Sequence, residues 1–276
     1  MDESQKSQRV KLKHRLVNHI SRSGITLMRT KTLQSLLNEQ RKYKSVLSEI
    51  ELLKKYGLEV NSPFLECHQL SKSQLRQDMW IAIASGFKRN GTFVEVGAAD
   101  GVTLSNTFML EKVLSWRGVL VEPSEFWHRK LRENRNSRID TRCCMSQSGL
   151  MVDFFAARDP LLSTIARNRF SDTHASERIK GSTSKVLSVS LNDIFEEYKL
   201  PNKIDYLSID TEGNEFEILE KFNFKKFSFG FATIENGFNK EKSRQIQELL
   251  EFYGYSKVHE DLSEFDDFYV RNSNAR

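Results

Sequence analysis

The stretch TFVEVGAADG (residues 92–101) is an apolar strand that runs into a glycine turn at Gly97, with a second glycine at Gly101. A side chain at 97 would block a ligand lying across the strand end, so the glycine there reads as an opening. Gly101 lets the following helix start close by. A second apolar run, GVLVE (118–122), ends 25 residues after Gly97 in Glu122. That is where an acidic side chain grips two ribose hydroxyls. Loop and acid together read as an adenosine-binding crevice at the carboxyl edge of a parallel sheet.

The chemistry of the loop narrows the cofactor. A dinucleotide fingerprint, Gly-x-Gly-x-x-Gly, would need a glycine that is missing here. Asp100 sits inside the loop and Glu95 one residue before the turn, whereas a pyrophosphate wants bare backbone N–H groups. Acids suit a ligand carrying an ammonium and a sulfonium, which describes S-adenosylmethionine. A nicotinamide-dependent enzyme on a related sheet is the alternative.

Outward from this stretch, strand-length apolar runs alternate with helical text. RIDTRCCMS (138–146) reads as a third strand, IDYLSID (204–210) as a fourth and FSFGFATIE (227–235) as a fifth. Helices are expected over 103–115, 124–134, 191–199 and 213–222, with Ser190 and Asp193 as a capping box. Asn239 caps a helix over 240–253, and YSKVHE and DFYVR close the chain as strands. This is an α/β pattern, a doubly wound Rossmann-like sheet covered on both faces. MVDFF (151–155) and KVLSVS (185–190) look like extra strands. The polar residues 156–184 between and beyond them form a long irregular segment, expected to shape a substrate pocket.

Residues 1–70 differ and are read as a basic helical N-terminal extension, with residues 71–276 as the catalytic domain. The first 45 residues hold eleven basic and three acidic side chains, a charge of +8. The remaining 31 basic and 34 acidic residues leave −3, so the overall +5 belongs to the N-terminal segment. Sparse apolar residues there suggest two short amphipathic helices separated near Ser23-Gly24, and a third helix over 44–56 stopping at Gly57. This segment could touch an anionic surface, and a non-catalytic module docking through it is a further alternative. No nucleic-acid motif accompanies the charge, so no nucleic-acid partner is expected. Three cysteines, Cys67, Cys143 and Cys144, form no Cys-x-x-Cys pair, which points to a reducing compartment without structural zinc. No apolar run approaches the ~18 residues of a membrane helix, and residues 1–16 lack a secretory pattern. The expected address is the cytoplasm.

DYLSIDTEGNEFEIL (205–219) resembles the signature of FkbM-type methyltransferases, a branch of the class I S-adenosylmethionine-dependent enzymes. GVTLSNTFMLEK (101–112), GVLVEPS (118–124), SQLRQD (73–78) and the IEN at 234–236 are similar to the same family, in the same order. The resemblance runs from about 71 to 271. Gly237 follows Asn236 where many members read Glu-His-Asn, so a histidine often found there is absent. The resemblance implies a seven-stranded methyltransferase sheet whose last strand is antiparallel. It also implies O-methylation of a sugar, glycan or secondary-metabolite hydroxyl. By the same resemblance Glu95, Gly97, Asp100 and Gly101 are cofactor-loop positions and Glu122 is the ribose acid. Gln77 and Asp78 approach the methionine end, and Ser105 and Asn106 lie on the first helix facing the crevice.

Methyl transfer to a sugar hydroxyl needs an aligned acceptor oxygen and a route for its proton. Asp210 ends the fourth strand, Glu212 and Glu215 follow, and Glu235 ends the fifth. Asp210 is the expected central catalytic residue, with Glu212 and Glu235 in support and Glu215 serving a helix N-terminus. Asp210, Glu212 and Glu235 could also hold a divalent cation such as magnesium through oxygen ligands. His128 reads as a packing or surface residue, and His174 as the histidine that touches substrate if one does.

Overall fold

Val96 stands in register with Val121 on one side and with Ile209 on the other, so three parallel strands end level. The residues that follow them in the chain are Gly97, Glu122 and Asp210. A computed structural model describes residues 47, 49–168, 181–260, 263 and 265–272. The helices expected over residues 1–45, and His174, lie outside the described residues. Helices α1 (Ser62–Leu70) and α2 (Gln77–Ala84) precede β1 (Thr92–Val96). Next come α3 (Phe108–Leu114), β2 (Arg117–Val121), α4 (Glu125–Asn134) and β3 (Arg138–Asp140). An excursion follows through β4 (Cys143–Met145), β5 (Met151–Ala157), β6 (Thr164–Ile165) and β7 (Gly181–Ser190). The chain then returns through α5 (Leu191–Glu197), β8 (Lys203–Ile209), α6 (Glu215–Glu220) and β9 (Ser228–Glu235). It closes with α7 (Lys240–Phe252), β10 (Tyr255–Val258) and β11 (Asp266–Arg271).

The main sheet has seven strands in the order β10-β11-β9-β8-β1-β2-β3. β1 pairs in parallel with β2 and β8, and β11 lies antiparallel between β9 and β10. Strand order reverses at β1 and β8, and such a reversal opens a crevice at the carboxyl ends of the strands. β1 shows why both faces are covered. Phe93 enters a core layer with Trp80, Met109, Leu110 and Leu131, while Val94 and Val96 enter another with Ile194, Ile218 and Ile246. This is period-two burial on two faces, as a parallel sheet demands.

Several expected elements are redrawn. RIDTRCCMS is not one strand: β3 joins the main sheet, and β4 joins a four-stranded sheet in the order β4-β7-β5-β6. The helix expected from 103 begins only at Phe108, so Ser105 and Asn106 lie in the preceding loop. Residues 156–184 are less irregular than their composition suggests, because β5 runs to Ala157, β6 covers 164–165 and β7 starts at Gly181. Residues 52–276 form the second of two compact units. Leu52, Leu53, Phe64 and Cys67, assigned from sequence to the extension, are buried in the second unit with Met79 and Trp80. The helix through Leu53 stops where Gly57 takes φ +67°. Leu58 N–H donates to the Leu53 carbonyl (2.8 Å) and Gly57 N–H to that of Lys54 (3.0 Å), a Schellman closure. The three cysteines are free and buried.

Burial of Glu95 on β1 requires a counter-charge, and Arg135 at the end of α4 supplies it. The guanidinium is fully buried and reaches Glu111 (3.1 Å) and Glu95 (3.5 Å). Its other N–H groups donate to the Gly101 carbonyl (3.0 Å), Ser105 Oγ (3.2 Å) and Thr107 Oγ1 (2.8 Å). Removing one partner of such a network leaves uncompensated charge inside the protein. Arg135→Ala is therefore expected to cost about 3–5 kcal/mol of stability in urea unfolding; a loss under about 1 kcal/mol, the size of an exposed pair, would contradict this role.

Candidate active site

A cavity of about 390 Å³ opens where β1, β2, β8 and β9 end, lined among others by Gly97, Glu122, Asp210 and Glu235. One wall of it depends on Gly97. That residue takes φ +89°, and a Cβ added there would stand 1.8 Å from the Asp210 carbonyl oxygen. Only glycine permits the β1 loop to lie this close to the end of β8. Glu122 follows β2 and is 6% exposed. Its carboxylate accepts N–H bonds from Ala99 (2.8 Å) and Ser124 (2.7 Å). Burial outweighs those bonds and pushes its pKa up to about 7. His128 Nε2 lies 2.8 Å from the Glu122 carbonyl oxygen and so buttresses this strand end.

The floor of the cavity is acidic. One carboxylate oxygen from each of Asp210, Glu212 and Glu235 falls within 4.8 Å of the others. Asp210 is open to the cavity yet surrounded by protein atoms. Burial, then the charges of Glu212, Asp266 and Glu215, hold its pKa well above the carboxylate range. Glu235 is raised well above that range too, by burial and by Asp210 and Glu215. Its Oε2 has no hydrogen-bond partner, and neither has Oδ1 of Asp266, which stands opposite Glu235 across the antiparallel pair. Burial raises the Asp266 pKa to about 6 against the opposing bond from Gln77.

Glu215 behaves differently. It is fully buried, but Lys242 Nζ donates to it at 2.8 Å, and the amides of Thr211 (3.1 Å) and Gly213 (3.0 Å) do so as well. Burial alone would raise its pKa; Lys242 and these bonds lower it instead. Lys242 is raised in turn, because Glu215 and Glu235 outweigh its own burial. It stands 4.0 Å from Glu235 Oε2. Glu215 is thus more than a helix-end charge: it anchors Lys242 behind the acidic floor.

Not every expected residue reaches the cavity. Gly97, Ser105, Glu122, Asp210, Glu212 and Glu235 line it. Glu95 does not. It points into the layer under the loop and accepts bonds from Ser105 Oγ (3.1 Å), the Asn106 amide (2.8 Å) and Thr107 Oγ1 (2.5 Å). Asn106 donates through Nδ2 to Ser208 Oγ at 3.0 Å instead of facing the crevice. Gly101 is needed for helix packing, since a Cβ there would meet Arg135 Cγ at 2.6 Å and Leu131 Cδ1 at 2.7 Å. Asp100 folds back on its own loop and accepts from the amides of Val102 (2.9 Å) and Thr103 (2.7 Å). Gln77 and Asp78 are both buried. Gln77 Nε2 donates to Asp266 (2.5 Å), and Asp78 binds Ser71 and Ser73 (2.6 and 2.5 Å). Gln74, three residues earlier, lines the cavity in their place.

Sequence reasoning missed Lys242, Asp266 and Phe238. The signal for the last lay in the Asn236-Gly237-Phe238 turn after Glu235, which puts an apolar residue three positions beyond a strand-end acid. Trp127 is 8% exposed and also lines the cavity. Asp159, Pro160, Leu161, Ser163 and Ile165 bring part of the 156–184 segment into the wall.

The sequence matches the family model described as "Methyltransferase FkbM domain" over residues 95–257. No curated protein matches the chain. Solved structures similar to it include the METTL16 MTase domain, at 13% identity and TM-score 0.41, covering 82% of this chain and 78% of that one. A methyltransferase from Pyrococcus furiosus aligns at 12% identity and TM-score 0.37, covering 83% and 96%. The precorrin-6y C5,15-methyltransferase of Geobacter metallireducens GS-15 aligns at 12% and 0.34, covering 66% and 78%. Among the described residues no helix is long and apolar enough to cross a membrane. The family model spans more than half of the chain, including the glycine loop, Glu122 and the strand-end acids, and its match together with the sheet order establishes that the chain belongs to the FkbM methyltransferase family.

Proposed function

We propose that this methyltransferase transfers a methyl group to a hydroxyl oxygen of a sugar or sugar-like acceptor, with Asp210 receiving the hydroxyl proton. The observation that carries the reading is the convergence of Asp210, Glu212 and Glu235 on the cavity floor beside the Gly97 loop. Membership in a methyltransferase family implies S-adenosylmethionine rather than a nicotinamide as the cofactor. The site fits that group: a cradle at Gly97 that any Cβ would fill, and a buried acid at the end of β2. When bound, it supplies an electrophilic methyl on a sulfonium.

The protein's own residues then divide the work. On this reading Glu122 accepts from two ribose hydroxyls. Asp210 needs a raised pKa to hold a proton taken from a weakly acidic hydroxyl, and burial among Glu212, Asp266 and Glu215 provides it. Glu235 shares the negative field with Asp210, and Lys242 offsets part of the cluster's charge through its contact with Glu215. A divalent cation held by Asp210, Glu212 and Glu235 is the second reading, favoured by their oxygen spacing. Chelation separates the two: under the base reading, EDTA leaves turnover unchanged and added magnesium restores nothing. The basic N-terminal segment is proposed as a contact for an anionic surface, tested by sedimentation of the full chain with vesicles of phosphatidylserine against phosphatidylcholine.

Labelled S-adenosylmethionine incubated with glycan and metabolite fractions should yield a methyl ether located by mass spectrometry; a methyl on nitrogen or carbon would overturn the reading. Asp210→Asn should lower kcat about 10²–10⁴-fold while S-adenosylhomocysteine still binds by calorimetry. The base works only when deprotonated. In wild type, kcat/KM should therefore fall as pH drops through a midpoint above the ordinary carboxylate value of about 4.

Glu122 generates a separate test. Its folded pKa of about 7 exceeds the reference 4.5. Below both values it contributes nothing; between them the unfolded chain ionises first and stability falls as pH rises. The cofactor-free protein should lose about 3 kcal/mol from this group between pH 4.5 and 8. Glu122→Gln should flatten that slope in Tm and weaken S-adenosylhomocysteine binding roughly tenfold or more.

A further inference from the structure

The wall of the cavity splits into an acidic floor and an apolar rim. Five carboxylates line it, from Glu122, Asp159, Asp210, Glu212 and Glu235, and among the described lining residues there is no lysine or arginine. Lys242 reaches Glu215 and Glu235 but is not part of the lining. The rim carries Leu104, Leu161 and Phe238, which are 44%, 36% and 60% exposed. Phe238 is held where it stands. Its N–H donates to Asn236 Oδ1 (2.8 Å), and Asn236 Nδ2 donates to Asp267 (3.0 Å). The amides of Asn236 (2.6 Å) and Gly237 (3.2 Å) both donate to the Phe265 carbonyl. Its ring meets that of Phe265 edge-on at 5.8 Å. Phe238 takes φ +60°, a region that costs a residue with a bulky side chain. A strained, hydrogen-bonded turn thus presents a phenyl ring to solvent at the mouth of the site. Folding gains little from such a ring, whereas an incoming ligand with an apolar face gains a surface to cover.

Resting on the hydroxyl-transfer reading above, we propose that the acceptor is uncharged near its methylated hydroxyl and lies with an apolar face on Phe238. A pyranose glycoside has that chemistry: C–H bonds on one face for the ring, and hydroxyls at its edge for the carboxylates. At a pH above the raised pKa values of these acids, a carboxylate, phosphate or phosphodiester on the acceptor would be pressed against like charge, with no cation among the described lining residues to receive it. Such juxtaposition weakens binding by roughly a hundredfold or more. Phe238 is then the residue that determines acceptor affinity, and the acidic floor the element that excludes anions.

The test is saturation-transfer NMR on the full chain with S-adenosylhomocysteine present. The probes are a methyl hexopyranoside, the matching hexuronate and the hexose 6-phosphate. The neutral glycoside should receive transfer at its ring C–H protons, and the two anions at most a tenth of it. Phe238→Ala should remove most of the glycoside signal, Phe238→Tyr should retain it, and both should bind S-adenosylhomocysteine as wild type does, which shows that they are folded. Raising the ionic strength should narrow the gap between neutral and anionic probes, because screening weakens the repulsion. Equal or stronger transfer to the anions, no transfer to the glycoside, or a glycoside signal that survives Phe238→Ala would each overturn the proposal. The readout needs no turnover, so a product methylated elsewhere than on oxygen would defeat the hydroxyl reading while leaving this result standing.

Discussion

One buried guanidinium fixes the geometry of the loop that follows β1. Arg135 directs its N–H groups to Glu95 on β1, Glu111 on α3, the Gly101 carbonyl and the hydroxyls of Ser105 and Thr107. These partners come from two elements, β1 and α3, and from the loop between them. The planar fork of an arginine can satisfy them together where a lysine could not. The loop that begins at Gly97 is therefore tied from beneath, by charge-assisted bonds that exclude water, and its upper side is left to the cavity. Glu95 and Asp100 supply negative charge to this region, but they spend their lone pairs on the protein itself.

With the loop held, Gly97 can approach the end of β8 closely. The same glycine that clears space for a ligand brings the β1 loop against the Asp210 backbone. Parallel register then does the rest. Ile209 pairs with Val96 on one side and Ile234 on the other, so Asp210 and Glu235 emerge side by side at the end of the sheet. The acidic floor follows from strand register, and it sits beside the Gly97 loop because the strand order reverses there.

Legibility in the sequence followed the range of the interaction. Strand-end residues such as Gly97, Glu122, Asp210 and Glu235 could be read, because a parallel sheet places all its carboxyl ends on one edge. Glu95 was misplaced because its partner, Arg135, lies 40 residues away on a helix whose facing no local pattern reveals. Ser105 and Asn106 were put on a helix because SNTFMLEK reads as helical text throughout. The chain instead takes a left-handed turn at Leu104, and Glu95 then captures Ser105, Asn106 and Thr107 before α3 begins. Asp266 was invisible for another reason: β11 returns antiparallel and inserts beside β9, which sets Asp266 opposite Glu235. Pairing of that kind is fixed by topology and leaves no mark in local composition. Lys242 sits on a helix whose polar face looks solvated in sequence, yet it points inward to Glu215.

Asp210, Glu212, Glu215, Glu235 and Asp266 crowd at one end of the sheet with Lys242 as the cation that acts on them from α7. A fold selected only for stability would have little reason to keep such a cluster, since burying like charges raises the energy of each ionised form. Lys242 does not neutralise it evenly. Its short contact goes to Glu215, which stays ionised, while Glu235 is 4.0 Å away and Asp210 more weakly influenced. The cluster is thereby divided into Glu215, which anchors the lysine, and Asp210 and Glu235, which line the cavity with elevated proton affinity. That division matches a reaction in which a proton must be accepted at the floor while the rest of the site stays negative. Under the proposed acceptor, the apolar side chains at the mouth would hold a neutral ligand by area alone, without adding charge to the site.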